Sequence, residues 1–180
     1  MTSPARRILV TGGVRSGKSA YAEARLADEP AVTYVAPGPG ADPADLEWAA
    51  RIARHQLRRP AHWTTRETAY LGAVLESAPP AVLIDCLGTW VTATIDALGT
   101  WDEPLEHWQG GFEERVATFV EAWRSYRGLA VAVTNEVGWG LVSEHRSGRI
   151  FTDLLGRVNQ QVAAASDEVV LVVAGRALIL

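Results

Sequence analysis

Ile8-Leu9-Val10-Thr11-Gly12-Gly13-Val14-Arg15-Ser16-Gly17-Lys18-Ser19 is the stretch that decides how this chain folds. A short apolar run, Ile8–Thr11, reads as a strand. It enters a glycine-rich turn, and the pattern from Lys18 to Ala27 reads as a helix. From Gly12 to Ser19 every fixed position of G-x-x-x-x-G-K-[ST] is met. The glycines allow backbone N–H groups to converge on phosphate oxygens without side-chain obstruction. Lys18 is expected to stand exposed toward β- and γ-phosphates, with Ser19 offering its hydroxyl to Mg²⁺. The following helix aims its positive N-terminus at the same place. A chance glycine turn ahead of a helix is the plainer alternative. The strand before and the helix after are the context the motif requires, so the phosphate reading is preferred. Gly12, Gly13, Val14, Arg15, Ser16, Gly17, Lys18 and Ser19 are thus candidate nucleotide contacts, Lys18 among them as a catalytic group.

Outward from this loop, apolar runs alternate with helical patterns. Ala31–Val35, Ala81–Asp85, Leu129–Thr134 and Val169–Ala174 are rich in Val, Ile, Leu and Ala without polar alternation. Such runs suit strands buried on both faces of a parallel sheet. Asp42-Pro43 reads as an N-cap and first helical position, opening a helix to about Arg54. Glu103–Arg127 holds one or two helices. Arg149–Ala165 puts Ile150, Phe151, Leu154, Leu155, Val158 and Val162 on one face. Ala36–Ala44, with Pro37, Gly38, Pro39, Gly40 and Pro43, reads as a loop where open α/β sheets place ligand contacts. The expected fold is α/β: a P-loop NTPase of the RecA-like kind, with a mainly parallel sheet flanked by helices. The 180 residues suit a single domain spanning 1–180.

Composition narrows the function. Hydrophobic residues make up 48% and charged residues 21%, which is the balance of a soluble globular protein. A formal net charge of −4, with no basic face, disfavours nucleic acid as a partner. The single cysteine, Cys86, excludes a disulfide framework and a thiolate metal cluster. The apolar run after Arg6 and Arg7 is too short for a signal peptide or membrane span, so a cytoplasmic protein is expected.

Two further segments carry possible chemistry. Ala81–Asp85 is an apolar strand ending in a carboxylate, the form of a Walker B element, and Asp85 is expected to support Mg²⁺ from the strand beside the P-loop. An ordinary strand ending in a turn-forming Asp is the competing explanation, weakened by the P-loop. Cys86 reads as a small buried residue rather than a nucleophile. In Arg51–Pro60, four arginines (Arg51, Arg54, Arg58, Arg59) surround His55. Planar guanidinium forks can grip triphosphate oxygens. Nearby positive charge favours a neutral imidazole whose ring nitrogen could attack phosphorus. From the pattern alone a solvated basic helix end is the preferred reading. His62, His107 and His145 show no metal spacing and read as surface or packing residues. Thr134–Gly140 follows a strand end and suits either ligand contact or a tight structural turn.

Together these residues resemble the adenosylcobinamide kinase/adenosylcobinamide-phosphate guanylyltransferase family of cobalamin biosynthesis. The resemblance rests on Thr11-Gly12-Gly13 with Arg15–Ser19, Arg51-Ile52 with His55 and Arg59-Pro60, and Trp63 with Thr65 and Glu67. It continues through Asp85-Cys86-Leu87, Asn135–Gly138 with Gly140, and Arg149, Phe151, Asp153, Gly156 and Asn159-Gln160. It implies phosphorylation of the aminopropanol hydroxyl of adenosylcobinamide by ATP or GTP. It then implies GMP transfer from GTP through a covalent adduct on His55 to adenosylcobinamide phosphate. By the same resemblance Ala36, Pro37, Gly38, Gln56, Leu57, Arg58, Arg59, Glu67 and Asp85 join the P-loop as nucleotide contacts. Ser19 and Asp85 become metal ligands, and a homo-oligomer, a trimer in relatives, is implied. Pro37, Ala93 and Ser143 stand where the family usually has Thr, Asn and Pro. The alternatives are a small-molecule kinase that never guanylylates itself and a regulatory GTP-binding module. The latter usually carries N-K-x-D, where this chain has Asn135-Glu136.

Overall fold

The computed structural model describes residues 6–39, 59–99 and 101–180, together with Leu46, Ala50, Ala53 and Gln56. Among these, β1 (Arg6–Thr11), β2 (Thr33–Ala36), β3 (Thr64–Glu67), β4 (Ala81–Asp85), β5 (Leu129–Val133), β6 (Glu168–Val173) and β7 (Arg176–Ile179) form one sheet. Its order is β3-β2-β4-β5-β1-β6-β7. Every neighbouring pair is parallel except β6 with β7. The helices are α1 (Lys18–Ala24), α2 (Leu71–Glu76), α3 (Leu87–Leu98), α4 (Gln109–Ser125) and α5 (Arg146–Ala164), with a 3₁₀ turn at Leu105–His107. None is long and apolar enough to cross a membrane.

The apolar runs lack alternation because both faces of the sheet are covered. Ile8, Val10, Leu83, Val131 and Val133 pack with Ala22 of α1 and with Leu26 just beyond it. Leu9, Val82, Ile84, Ala130 and Ala132 face the opposite cluster, built from α2, α3, α4 and α5. There Phe119 lies between Trp90 and Trp123, with ring centroids 5.1 and 6.0 Å away. At the foot of the sheet Arg7 Nη2 meets Asp167 Oδ1 at 2.7 Å and ties β1 to the residue just before β6. Glu168, 7% exposed, is paired with both Arg6 and Arg25, which satisfies its buried charge.

All five expected strands are present, Ala81–Asp85 with the expected bounds and the other four differing by a residue or two. Four elements were not anticipated: α2, which is only six residues long, and three others for identifiable reasons. Thr89, Val91, Thr92, Thr94 and Ile95 give α3 the β-branched composition of a strand, although Trp90, Val91, Thr94 and Ile95 form its buried face. Gly99, at φ 74°, ends that helix in the left-handed cap. Edge strands β3 and β7 are four residues long and exposed throughout, so neither shows a buried pattern. A tight turn with φ 49° at Ala174 and 76° at Gly175 reverses the chain into β7. The helix expected from Asp42 to Arg54 falls mostly outside the described residues; Leu46, Ala50, Ala53 and Gln56 are helical. Helix α5 starts at Arg146, earlier than Arg149, and Arg149 donates to the carbonyls of Ser143 and Glu144 just before it.

Candidate nucleotide site

Because the strands from β3 to β6 run in one direction, the segments that follow them emerge at one edge, where open α/β sheets bind ligands. The P-loop leaves β1 at Thr11 and enters α1 at Lys18. Gly17 caps that helix at φ 96°, a conformation that strains any residue with a Cβ. Two neighbouring segments brace the loop. Gly175 donates its N–H to the Ser16 carbonyl at 2.8 Å, and Glu136 donates to the Gly12 carbonyl at 3.1 Å. Packing is closest at Gly12, where an added Cβ would lie 2.4 Å from the Val172 carbonyl oxygen and 2.7 Å from Ser16 Oγ. Gly12→Ala should therefore force the loop off β6. We expect a loss of about 1–3 kcal/mol in chemical denaturation together with weaker triphosphate binding. A variant as stable as the parent with unchanged binding would contradict this account.

Lys18 departs from expectation. Its side chain is buried, at 7% exposure for the residue, and Nζ donates to the Gly13 carbonyl at 3.0 Å. The long stem folds back so that the amine meets the loop's own backbone. Val14 and Arg15 are exposed, and Ser19 is half-buried at the start of α1. The hydroxyls of Ser16 and Thr11 are buried without a hydrogen-bond partner among the described residues. A buried hydroxyl left unpaired is costly; in Ser16 it lies within the glycine-rich loop.

Asp85 ends β4 as the sequence suggests, but β4 is not beside the P-loop strand. β5 lies between, paired with β1 on one side and β4 on the other. Sequence order alone could not reveal an inserted strand contributed from residue 129 onward. The Asp85 carboxylate accepts a hydrogen bond from Tyr34 Oη at 3.2 Å. Cys86 behaves as a structural residue: burial, reinforced by the charge of Asp85, pushes its thiol pKa up and away from the thiolate. Thr89 Oγ1 donates to the Cys86 carbonyl at 2.9 Å and secures the start of α3.

The Thr134–Gly140 segment is held by contacts to its neighbours. Asn159 of α5 donates to the Asn135 carbonyl at 3.0 Å and accepts from Thr134 Oγ1 at 2.6 Å. With Glu136 on Gly12, this segment supports the P-loop from the side.

A second group of residues assembles at the ends of β2 and β3. Ala36 is in register with Glu67, and Thr68 N–H donates to the Ala36 carbonyl at 3.2 Å. Pro37 is buried and Gly38 packs close to Thr89 of α3; a Cβ on Gly38 would lie 2.9 Å from the Thr89 Cβ. An open cleft of about 560 Å³ is lined by Gln56, Arg59, Pro60, Trp63, Thr65 and Glu67, among others. Arg59 is not a solvated helix-end cation. Its Cζ lies 3.4 Å from the centroid of the Tyr34 ring, and Nη1 donates to Thr65 Oγ1 at 3.0 Å. His55, Leu57 and Arg58 lie outside the described residues. His62, His107 and His145 are exposed, in line with surface roles. Sequence reading missed Tyr34, which sits in an apolar run and looks like core, and Gly175, whose service is through its backbone.

Among the described residues no cluster of three His, Cys, Asp or Glu side chains could hold a metal by itself. Mg²⁺ does not need one. It keeps several waters and takes one or two protein oxygens beside the substrate phosphates. A half-buried serine hydroxyl at the head of α1 and a half-buried carboxylate at the end of β4 are hard oxygen donors of that kind.

A family model described as cobinamide kinase / cobinamide phosphate guanyltransferase matches residues 8–180. Bifunctional adenosylcobalamin biosynthesis protein CobU of Salmonella typhimurium is 44% identical, over 93% of this chain and 96% of that protein. Its namesake in Escherichia coli is 41% identical over the same shares. The CobP protein of Pseudomonas aeruginosa, with the same description, is 39% identical over 94% of each chain. Among solved structures, a prototypical ATPase from the type III secretion system of pathogenic bacteria superposes with a TM-score of 0.56 at 11% identity. That superposition covers 92% of this chain and 50% of the ATPase, so the chain spans half of that protein and shares its fold alone. The P-loop NTPase fold expected from Gly12–Ser19 is the fold observed. With a family match running from β1 to the last residue, this chain belongs to the cobinamide kinase / cobinamide phosphate guanyltransferase family.

Proposed function

We propose that the chain phosphorylates adenosylcobinamide and then converts adenosylcobinamide phosphate to adenosylcobinamide-GDP. The observation that carries this reading is a convergence, within a chain matched by that family over residues 8–180. The P-loop, Asp85 and the Arg59 cleft all meet at one edge of the sheet.

In the first reaction the aminopropanol hydroxyl attacks the γ-phosphorus of ATP or GTP, loses its proton and releases the nucleoside diphosphate. Lys18 and the P-loop N–H groups hold the β- and γ-phosphates against charge developing on them. Ser19 and Asp85 are the residues that would hold Mg²⁺, which supplies further neutralisation of the phosphate oxygens. In the second reaction a ring nitrogen of His55 attacks the α-phosphorus of GTP, forming a P–N bond and releasing pyrophosphate. A phosphate oxygen of adenosylcobinamide phosphate then attacks the same phosphorus. The P–N bond breaks and the imidazole is restored. Arg58, Arg59, Gln56, Leu57 and Glu67, with Ala36–Gly38, would line the nucleotide in this step. Pro37 brings no hydroxyl to it. The reading includes a cytoplasmic homo-oligomer, with a trimer implied by the family resemblance; Leu178 and Ile179 of β7 and Leu180 after it are exposed and support a self-association face.

The test is the intact mass of the protein after incubation with GTP and Mg²⁺. We expect a stable increment of one GMP, discharged by adenosylcobinamide phosphate. An unmodified mass alongside retained phosphorylation of adenosylcobinamide would favour the kinase without guanylyl transfer.

A further inference from the structure

We propose that Tyr34 is a positioning residue that holds the Asp85 carboxylate and the Arg59 guanidinium in fixed relation, so that cation and triphosphate are gripped as one unit. This rests on the roles proposed above for Asp85 and Arg59.

Tyr34 lies on β2 between β3 and β4, opposite Thr65 on one side and Leu83 on the other. It is 2% exposed. Its ring face carries the Arg59 guanidinium at 3.4 Å, and its hydroxyl donates to Asp85 Oδ2 at 3.2 Å. Arg59 is held a second time by Thr65 Oγ1, from the residue paired with Tyr34 across the sheet. One rigid side chain therefore contacts a candidate from each half of the site: the acid on the P-loop side and the arginine of the cleft.

The hydroxyl is the informative part. Phenylalanine would fill the same core position and offer the same ring to Arg59. A phenol at this depth is costly unless it is hydrogen-bonded, and Asp85 is its partner. A tyrosine hydroxyl is ordinarily protonated near neutral pH, so it can serve as the donor in this hydrogen bond. An outer partner of this kind helps to orient a carboxylate, while the ring stacks on the Arg59 guanidinium.

The two contacts can be separated by substitution. The measurement is direct binding of a GTP analogue with a methylene bridge between the α- and β-phosphorus, across a Mg²⁺ titration and again in excess chelator. Tyr34→Phe keeps the stack and loses the hydrogen bond. The half-saturating Mg²⁺ concentration should rise roughly tenfold, the low end of losing an outer-shell partner, with binding in chelator unchanged. In an Asp85→Asn background, Tyr34→Phe should add no further shift, because residues acting through one another are not additive. Tyr34→Leu removes the stack as well, and affinity in chelator should fall about fivefold.

A residue that merely fills the core would weaken both conditions together or neither. If Tyr34→Phe titrates with Mg²⁺ like the parent, or its shift persists on Asp85→Asn, the inference is overturned. Those outcomes leave the functional reading intact, since the parent still binds. A parent that binds no nucleotide under any condition would overturn the functional reading, and this inference with it. Should Tyr34→Leu fail to fold, the near-isosteric Phe variant and its double mutant still decide the matter.

Discussion

His55→Ala protein incubated with radiolabelled GTP and Mg²⁺ should retain no label through denaturation, whereas the parent retains it. The expected loss is complete, because the adduct has no other site in the proposed mechanism. The chemistry of the bond gives a second, independent check. A P–N bond to imidazole breaks in acid, where protonation makes the nitrogen a good leaving group, and it survives alkali. Label on the parent should therefore be released by acid and spared by base. Phosphorylation of adenosylcobinamide should persist in His55→Ala, since the P-loop does not need the imidazole. His62 is the internal control: it lies beyond Pro60 and is exposed, and His62→Ala should label as the parent does. Label on His55→Ala, or an acid-stable and alkali-labile adduct, would refute the guanylyl-transfer mechanism.

Lys18→Ala should lower kcat/KM for phosphorylation of adenosylcobinamide by about 10²–10³, the scale of losing one positioned donor at developing charge. Triphosphate affinity should fall as well. The fold should survive, for reasons that lie in the structure. The Lys18 amine contributes a hydrogen bond to the Gly13 carbonyl, but the loop is independently braced by Gly175 on Ser16 and Glu136 on Gly12. Losing one such bond costs about 1 kcal/mol, so chemical denaturation should show a small shift. A well-folded variant with parental turnover would remove Lys18 from the phosphate site. A variant that unfolds outright would assign the buried amine to stability instead.

These two predictions differ in how much each owes to the sequence. The P-loop was legible because its chemistry is local: glycine positions, one lysine and one hydroxyl within eight residues, preceded by a strand and followed by a helix. The family resemblance added His55, and the match over residues 8–180 then showed the family. The parallel sheet was legible too, because strands buried on both faces carry runs of Val, Ile, Leu and Ala that helices do not require.

What lay beyond the sequence was every relation between distant segments. That β5 separates β4 from β1, that Lys18 is buried in its own loop and that the β6–β7 turn supports Ser16 are facts of strand order and packing. Tyr34 makes the point most sharply. In the chain it is one aromatic residue in an apolar run, indistinguishable from core. Only the sheet, by setting β2 between β3 and β4, brings its ring under Arg59 and its hydroxyl to Asp85. By itself the sequence determined the phosphate-binding loop, the fold class and the chemistry available, because those depend on residue type at short spacing. The tertiary structure alone decided which acid, arginine and tyrosine lie in contact, because hydrogen bonds and ring contacts are properties of distance across the sheet.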